Sequence, residues 1–405
     1  MPKKISTQPI SESPFTDIAN VGKSIHPLWD IPVYHGELWP AKQRRGHSLH
    51  QISYRACFKP ALVKFFLERF SQPGDVIYDP FMGRGTTPLE AALNDRIPWG
   101  SDLNPLASHL VTPRLSPPRL EAISVRLKEI DLEGETPLQE DLLTFYHPDT
   151  LREISNLRSY LLAKERDHQL DTIDQWIRMV ALNRLTGHSP GFFSVYTMPP
   201  NQAVSIKSQQ KINDRRQQTP PYRNVSVLIL KKSRQLLKDC NLEGDTKLNQ
   251  AATQANFAIA DATELSNFPN NSVNLVITSP PFLNIVDYAT DNWLRCWFCD
   301  LDAHKLNVTT PAKLSNWEDF LSNVLAQLQR ILKPGGRIAI EIGEVRKGTL
   351  KLEETVAPLG APNGLRLEAI YINDQIFTKT AHCWGVANQK GGTNTNRIVI
   401  FQKEE

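Results

Sequence analysis

The stretch that decides the fold is Gly74-Asp75-Val76-Ile77-Tyr78-Asp79, followed directly by Pro80-Phe81-Met82-Gly83-Arg84-Gly85-Thr86-Thr87. Its first half is a short apolar run that ends on a carboxylate, which is typical of a buried strand. Its second half is a glycine-bearing turn that opens a helix over 87–93. The two glycines let the backbone turn sharply and approach a ligand closely, with the first amides of the helix exposed. The loop lacks a Gly-Lys-Ser or Gly-Lys-Thr ending, so it is not a phosphate-binding loop of the ATPase type.

A second predicted strand, 98–101, ends at Asp102. A carboxylate in that position can accept hydrogen bonds from two ribose hydroxyls; the alternative is a strand-end acid in a turn. The order strand, loop, helix, strand predicts a doubly wound α/β sheet, which binds its ligand at the carboxyl ends of the strands. The pattern of apolar strands returns further along the chain, at 257–259, 273–278, 337–342, 369–377 and 397–402.

These residues resemble the amino-group DNA methyltransferases. The resemblance rests on Asp79 to Thr87 and on Gly100-Ser101-Asp102-Leu103-Asn104-Pro105-Leu106, and it covers roughly 46–113 and 256–403. It implies a Rossmann-like, S-adenosylmethionine-dependent methyltransferase sheet of the α/β class, with a mostly helical insertion. The residues that it implies for cofactor binding are Asp79, Pro80, Phe81, Gly83, Gly85, Thr86, Asp102, Asn104 and Asp261, the last at the adenine amine.

The methyl acceptor is expected at Thr278-Ser279-Pro280-Pro281-Phe282, which follows a buried-strand pattern. An exocyclic amine is a poor nucleophile because its lone pair is delocalised into the ring. Two acceptors that hold its protons, Ser279 Oγ and the Pro280 carbonyl, would draw the nitrogen toward tetrahedral geometry. Consecutive prolines make the loop stiff and rich in acceptors, and Phe282 can stack on a flipped base. The catalytic residues predicted are therefore Ser279, Pro280, Pro281 and Phe282; an ordinary proline turn is the alternative.

The residue before Pro-Pro bears on the substrate. Within the family, Ser at this position resembles enzymes that methylate N4 of cytosine, whereas adenine enzymes usually carry Asp or Asn. The resemblance implies site-specific methylation of double-stranded DNA in a restriction–modification or related defence system, with a cognate restriction endonuclease as a further partner. An N6-adenine DNA methyltransferase, an RNA or protein amino-methyltransferase and an inactive DNA-binding module remain alternatives.

Four regions are predicted along the chain. They are an irregular N-terminal arm (1–45), the cofactor-binding half of the methyltransferase domain (46–118), a mostly helical insertion (119–255) and the catalytic half (256–405). The insertion is the expected site of DNA contact and target recognition, because it contains the concentrated run of basic residues between Lys207 and Lys238.

Net charge is only +3 at pH 7, but nine basic residues and one acid lie between Lys207 and Lys238. Such a run favours a local anionic partner, although a solvated basic helix face is the alternative. The predicted DNA-binding residues are Lys207, Lys211, Arg215, Arg216 and Arg223. A second, lower-ranked candidate for DNA contact is the Gly- and Asn-rich stretch 382–394.

Composition sets the remaining limits. Of 405 residues, 40% are hydrophobic and 22% charged, which fits a soluble globular protein. No apolar run approaches the roughly 18 residues of a membrane helix, and no secretory signal is visible, so a cytoplasmic protein without a membrane partner is expected. The five cysteines are scattered; Cys296 and Cys299 are interpreted as a buried helix face, and no metal is predicted.

Overall fold

The computed structural model of the chain describes residues 21–39, 46–54, 57–199, 202–241, 246–281, 288–303, 311, 313–342, 351–374 and 395–404. The strands are β1 (Gly22–Ile25), β2 (Pro32–Gly36), β3 (Val76–Asp79), β4 (Ile97–Asp102), β5 (Asn256–Ile259), β6 (Val273–Thr278), β7 (Leu332–Ile342), β8 (Leu365–Asp374) and β9 (Thr395–Lys403). The helices are α1 (Pro60–Phe70), α2 (Thr86–Leu93), α3 (Leu106–Val111), α4 (Leu120–Glu129), α5 (Pro148–Arg166), α6 (Thr172–Leu182), α7 (Ile206–Arg216), α8 (Val225–Leu236), α9 (Thr246–Gln254), α10 (Tyr288–Phe298), α11 (Leu314–Ile331) and α12 (Leu352–Val356).

The described strands form one sheet in the order β1-β2-β8-β9-β7-β6-β3-β4-β5. Strands β5, β4, β3, β6 and β7 are parallel neighbours, and β9 runs antiparallel between β7 and β8. A parallel core of this kind needs helical crossovers, which cover both faces of the sheet. The predicted α/β class is confirmed.

The strand order changes direction at β3. From β3 the chain moves to β4 on one side, whereas β6 pairs with β3 on the other, with Ile77 opposite Leu275 and Tyr78 opposite Val276. A doubly wound sheet opens a crevice at such a point, outside the carboxyl ends of the strands. The loops that follow β3 and β6 therefore start side by side.

Alternating side chains of the central strands fill two cores. Ile77 and Ile277 pack against α1 on one face, whereas Tyr78 and Val276 pack against α11 on the other. This explains why β3 and β6 are apolar throughout, since a strand covered on both faces has no polar side. The two layers hold the strand ends rigidly in register.

The N-terminal region differs from the prediction. Residues 1–45 were expected to be irregular, but 22–25 and 32–36 form β1 and β2, and β2 pairs in parallel with β8 at the edge of the sheet. Val33 and Tyr34 are buried there. The prediction was wrong because β1 is wholly exposed and carries no apolar alternation, and because the partner of β2 lies far along the chain.

The segment between β4 and β5 is helical, from α4 to α9. Its apolar faces share one core with Leu89 of α2, Leu110 of α3 and Leu294 of α10. The segment therefore packs directly on the helices that flank the glycine loop and the Ser-Pro-Pro loop. No helix in the described ranges is both long enough and apolar enough to cross a membrane.

Candidate functional site

The turn after β3 needs its two glycines. Gly83 and Gly85 have φ values of 48° and 74°, in the left-handed region that favours glycine. A Cβ on Gly85 would lie 2.2 Å from Cγ2 of Val111, so α3 approaches the turn too closely for any side chain. The loop is thus held in one shape by backbone conformation and by the helix that packs against it.

Asp102 ends β4 beside this turn. Its Oδ2 accepts a hydrogen bond from the Gly83 amide at 2.8 Å, and its Oδ1 accepts one from the Asn104 amide at 2.8 Å. Burial raises the pKa of Asp102 to about 6, against the opposing effect of these two amides. Each oxygen keeps a second lone pair, so the carboxylate can still accept from a ligand.

Two further predicted cofactor residues lie near Asp102. The Asn104 amide group is buried, its Oδ1 accepts from the Leu106 amide at 3.0 Å, and its Nδ2 has no hydrogen-bond partner in the described structure. Asp261 follows β5 and is exposed, with its Oδ1 accepting from the amide and hydroxyl of Thr263. The amide of Ala260, its neighbour, donates to the Asp102 carbonyl at 3.3 Å. Asp261 therefore lies one strand away from the carboxylate predicted to hold the ribose.

Asp79 does not lie where a cofactor ligand was predicted. It is fully buried beneath the loop, where its Oδ1 accepts from the Phe81 amide at 3.0 Å and from the Thr278 hydroxyl at 2.6 Å. Burial raises its pKa to about 7, although the hydrogen bonds oppose this shift. Because Phe81 belongs to the glycine loop and Thr278 precedes Ser279, Asp79 positions the two loops against each other.

The Ser-Pro-Pro loop is fixed from two sides. The Ser279 hydroxyl donates to Oε2 of Glu341, at the end of β7, at 2.6 Å. The indole N–H of Trp317, a fully buried residue of α11, donates to the Pro281 carbonyl at 2.9 Å. The predicted stacking residue Phe282 lies outside the described residues, as does the second DNA-contact candidate, 382–394.

Glu341 was not predicted from the sequence. It is 7% exposed, and its other carboxylate oxygen accepts from the side-chain amide of Asn396 at 2.8 Å. Burial raises the pKa of Glu341, while the hydrogen bonds from Ser279 and Asn396 act in the opposite direction. The signal available was weak, since it consists of one acid in the otherwise apolar run 338–342.

The two loops face one cavity at the carboxyl edge of the sheet. The predicted residues in its wall are Phe81, Gly83, Thr86, Asp102, Asn104, Ser279 and Pro281. The wall is completed by residues that the sequence did not single out, namely Tyr54, Cys57, Phe58, Met82 and Arg84. Pro80, Gly85 and Pro280 are buried and lie outside this wall, as does Asp79. The cavity therefore combines hydrogen-bond groups of the glycine loop with the Ser279 hydroxyl.

The basic residues of the helical segment lie in different surroundings. Lys207, Lys211 and Arg215 recur every four residues on α7 and are exposed, and none forms an ion pair within the described residues. Arg216 stacks on the ring of Tyr196 at 3.8 Å, so its charge is partly engaged. Arg223 is half-buried, and its Nε has no hydrogen-bond partner in the part of the chain that the structure describes.

The Cys296 and Cys299 thiols are free and buried, in and just after α10. Burial raises the pKa of both thiols, to about 11 and about 12. Within the described ranges no three His, Cys, Asp or Glu side chains converge as a metal site would require. These two cysteines contribute to the core that the helical segment shares with the sheet helices.

Sheet and cavity together define a protein of the Rossmann-like α/β class, with a polar site at the switch point of its sheet. Residues 19–110 match the family model described as DNA methylase, which unites N6 and N4 methylases. The type II methyltransferase M.BsoBI of Geobacillus stearothermophilus is 24% identical over 330 residues, 72% of this chain and 61% of its own length. The type II methyltransferase M.MjaII of Methanocaldococcus jannaschii is 38% identical over 78 residues, 19% of this chain and 14% of its own. The predicted resemblance to amino-group DNA methyltransferases is confirmed, and the chain spans about three fifths of M.BsoBI.

Solved structures give a broader likeness. TrmN from Thermus thermophilus matches with a TM-score of 0.34 and 14% identity, over 88% of this chain and 51% of that one. A SAM-dependent methyltransferase from Methanosarcina mazei matches with a TM-score of 0.33 and 11% identity, over 84% of this chain and 97% of that one.

Proposed function

We propose that this chain transfers a methyl group from S-adenosylmethionine to the exocyclic amine of a base in DNA, with N4 of cytosine as the favoured position. The observation that carries the proposal is the single cavity walled by Gly83 and Asp102 on one side and by Ser279 on the other. This arrangement brings the loop predicted to hold the donor and the loop predicted to hold the acceptor amine to the same cavity. The DNA methylase match over 19–110 supports the same chemistry.

The residues of the wall fit the proposed donor. Asp102 retains lone pairs for ribose hydroxyls, and the unpartnered Nδ2 of buried Asn104 is a donor that a ligand would satisfy. Phe81 and Met82 supply apolar surface beside the glycine loop, on which an adenosyl group could pack. When bound, S-adenosylmethionine supplies a methyl group activated by the sulfonium charge.

Ser279 is poised to accept rather than donate. Its own proton is committed to Glu341, so its lone pairs are free to hold one proton of the target amine. The second acceptor is the Pro280 carbonyl, which has no hydrogen-bond partner among the described residues and lies between two residues of the wall, Ser279 and Pro281. Holding both protons removes the amine nitrogen from conjugation with the ring and directs its lone pair toward the donor. Most of the rate enhancement then comes from positioning.

The same hydrogen bond gives the departing proton a route. Methylation leaves the amine with one proton too many, and that proton passes to Ser279 Oγ as the serine proton moves to Glu341 Oε2 over 2.6 Å. The raised pKa of Glu341 makes its carboxylate a better proton acceptor than an exposed glutamate. Glu341 therefore acts through Ser279 as a positioning residue and proton store.

The basic face of α7 is proposed to contact the DNA backbone through Lys207, Lys211 and Arg215. The residues just before α7 are bonded to α10, the helix that follows the Ser-Pro-Pro loop: the Ala203 amide donates to the Asp291 carbonyl, and Trp293 donates to the Val204 carbonyl. These contacts support a position for the basic face beside the catalytic loop. Exposed cations without ion-pair partners suit phosphate contacts.

Incubation with unmethylated double-stranded DNA and labelled S-adenosylmethionine, followed by mass spectrometry of the nucleosides, tests the proposal. N4-methylcytosine is the expected product. The Ser279→Ala variant should transfer no methyl group, but it should bind S-adenosylhomocysteine as tightly as the native chain does. N6-methyladenine would contradict the proposed position but not the class. If the labelled methyl group appeared only in RNA or protein, or in none of the substrates, the proposal that this chain methylates DNA would be rejected. A role in restriction–modification, with a cognate endonuclease, is proposed from the type II relatives.

A further inference from the structure

Two buried arginines are linked beside the cavity, because Arg84 is part of its wall and the Arg114 side chain donates to the Arg84 carbonyl. Arg114 is fully buried and donates to the carbonyls of Leu110 at 2.8 Å, Leu49 at 3.2 Å and Arg84. Arg84 is 7% exposed; its Nε donates to the Thr86 hydroxyl at 3.2 Å, and its Nη1 donates to the Ile52 carbonyl at 3.2 Å. All of these acceptors are neutral.

Neither arginine forms an ion pair with a described carboxylate. Glu90, a buried acid of α2, is hydrogen-bonded instead by His50 at 2.8 Å and by Asn94. Burial lowers the pKa of Arg114 to about 9, and the charge of Arg84 lowers it further. Two buried positive charges beside each other are costly, and an anion next to them would offset that cost.

Only Arg84 offers such an anion a point of contact. It is part of the cavity wall, together with Gly83, Asp102 and Ser279, whereas Arg114 does not line the cavity. Its Nη2 has no hydrogen-bond partner among the described residues, so one face of the guanidinium is uncommitted. An anion bound in the cavity would therefore contact Arg84 rather than Arg114.

We propose that Arg84 binds the carboxylate at the amino-acid end of S-adenosylmethionine, an inference that rests on the proposed function. With the ribose at Asp102 and the methyl group directed at Ser279, the amino-acid end lies along the remaining wall, which Arg84 shares with Tyr54 and Cys57. Arginine suits this role because its planar fork matches a carboxylate. Arg84 is thus a specificity residue that distinguishes the intact cofactor from adenosine derivatives that lack the carboxylate.

The test is a binding measurement that needs no turnover. Calorimetric titration would compare S-adenosylhomocysteine with its decarboxylated form, on the native chain, on Arg84→Met and on Arg84→Lys. A charge-assisted hydrogen bond is worth roughly 10- to 100-fold in affinity, so the native chain should prefer the carboxylate ligand by about that factor. Arg84→Met should lose the preference by weakening only the carboxylate ligand, and Arg84→Lys should recover part of it.

Arg96→Met is the matched control. Arg96 also donates to backbone carbonyls, those of Asn94, Leu67 and Ser71, but it precedes β4 at the opposite edge of the sheet from Asp102. This variant should keep the native preference.

Three results would overturn the inference. They are equal affinity of the native chain for both ligands, equal weakening of both ligands in Arg84→Met, and loss of the preference in Arg96→Met. The first of these needs no variant, so it stands even if Arg84→Met fails to fold. A native chain that binds neither ligand would instead reject the proposed function itself, which separates the two failures.

Discussion

The Ser279 hydroxyl depends for its orientation on Glu341, which lies 62 positions later in the chain and reaches it from the end of β7. Glu341→Gln removes the negative charge and the proton store but keeps the shape of the side chain. We expect methyl transfer to fall by about 10²- to 10⁴-fold, the usual contribution of a positioned acid–base group. Cofactor affinity should be unchanged.

The proposed role of Glu341 also predicts how the rate of methyl transfer changes with pH. Because burial raises the pKa of Glu341, its carboxylate is protonated at a higher pH than an ordinary glutamate, and the rate should fall as the pH drops through that value. When the rate is measured at saturating cofactor, so that weaker binding at Asp102 does not contribute, the Glu341→Gln variant should lack this acidic limb. Glu368→Gln, which removes a carboxylate of β8 that pairs with Arg337, is the control that should retain it. An unchanged limb in Glu341→Gln would assign the titration to another group.

Asp102 provides a second prediction at the scale of one residue. Its pKa of about 6 lies above its ordinary value, so lowering the pH below 6 protonates the carboxylate in the folded chain and removes part of its acceptor capacity. The affinity for S-adenosylhomocysteine should therefore decrease as the pH falls through 6. Asp102→Asn should bind more weakly and show a flat profile over the same range. A titration series on both sides of pH 6 measures this, and an identical slope in the two proteins would contradict the assignment.

The residues of the two loops could be predicted because each loop is contiguous in sequence and follows a strongly apolar strand. Glu341 and Arg84 could not be assigned roles in that way. The partner of Glu341 is created by the pairing of β6 with β7, and the importance of Arg84 arises from the absence of a counter-charge among the described residues around it. Asp79 was assigned to the ligand because the motif carries it, whereas its burial makes it a link between the loops.

At the scale of elements, α7 presents its basic residues on one exposed side, and it is held mainly by polar contacts. Gln209 is its buried residue, donating to the Tyr196 carbonyl, and Asn213 donates to the Thr144 carbonyl. Neutralising Lys207, Lys211 and Arg215 together should leave the helix in place. It should also reduce the salt dependence of DNA binding by roughly 0.9 in the log–log slope for each phosphate that the variant no longer neutralises.

Fluorescence titration of duplex DNA at several salt concentrations measures this slope. The charge-matched control neutralises Lys23, Lys64 and Lys128, which are exposed on β1, α1 and α4. An equal change in the control would indicate a general effect of net charge, and an unchanged slope in the α7 variant would remove α7 from the interface.

The burial of each element explains whether it could be predicted from the sequence. Strands β3 and β6 could be predicted because both of their faces are buried, so their sequences are apolar without interruption. Helix α7 carries no apolar stripe, since Gln209 takes the place of a core residue, and its helical periodicity was therefore not recognised. Strand β1 is exposed because it lies at the open edge of the sheet, so its sequence has no alternation of apolar and polar residues that would predict a strand.

At the scale of the whole molecule, the helical segment was predicted as an insertion with its own boundaries, but its core is continuous with that of the sheet helices. Trp176 of α6 is fully buried there, and its indole N–H donates to Ser233 of α8 at 3.0 Å. Leu110 of α3 and Phe298 of α10 belong to the same core. Because no layer of solvent separates the two parts, we expect them to unfold together.

Trp176→Ala tests this cooperativity. Truncating a buried tryptophan costs about 3–5 kcal/mol, from reduced burial and from the cavity that remains. Calorimetry should show one unfolding transition, shifted to lower temperature as a whole, and S-adenosylhomocysteine should shift that same transition upward even though its predicted contacts lie in the sheet loops. Val227→Ala, which truncates an exposed residue of α8, should leave the transition unmoved. Two resolved transitions, one sensitive to Trp176→Ala and the other to the ligand, would instead mean that the helical segment folds as a separate module, and that its contribution to the site is made by docking rather than by a shared core.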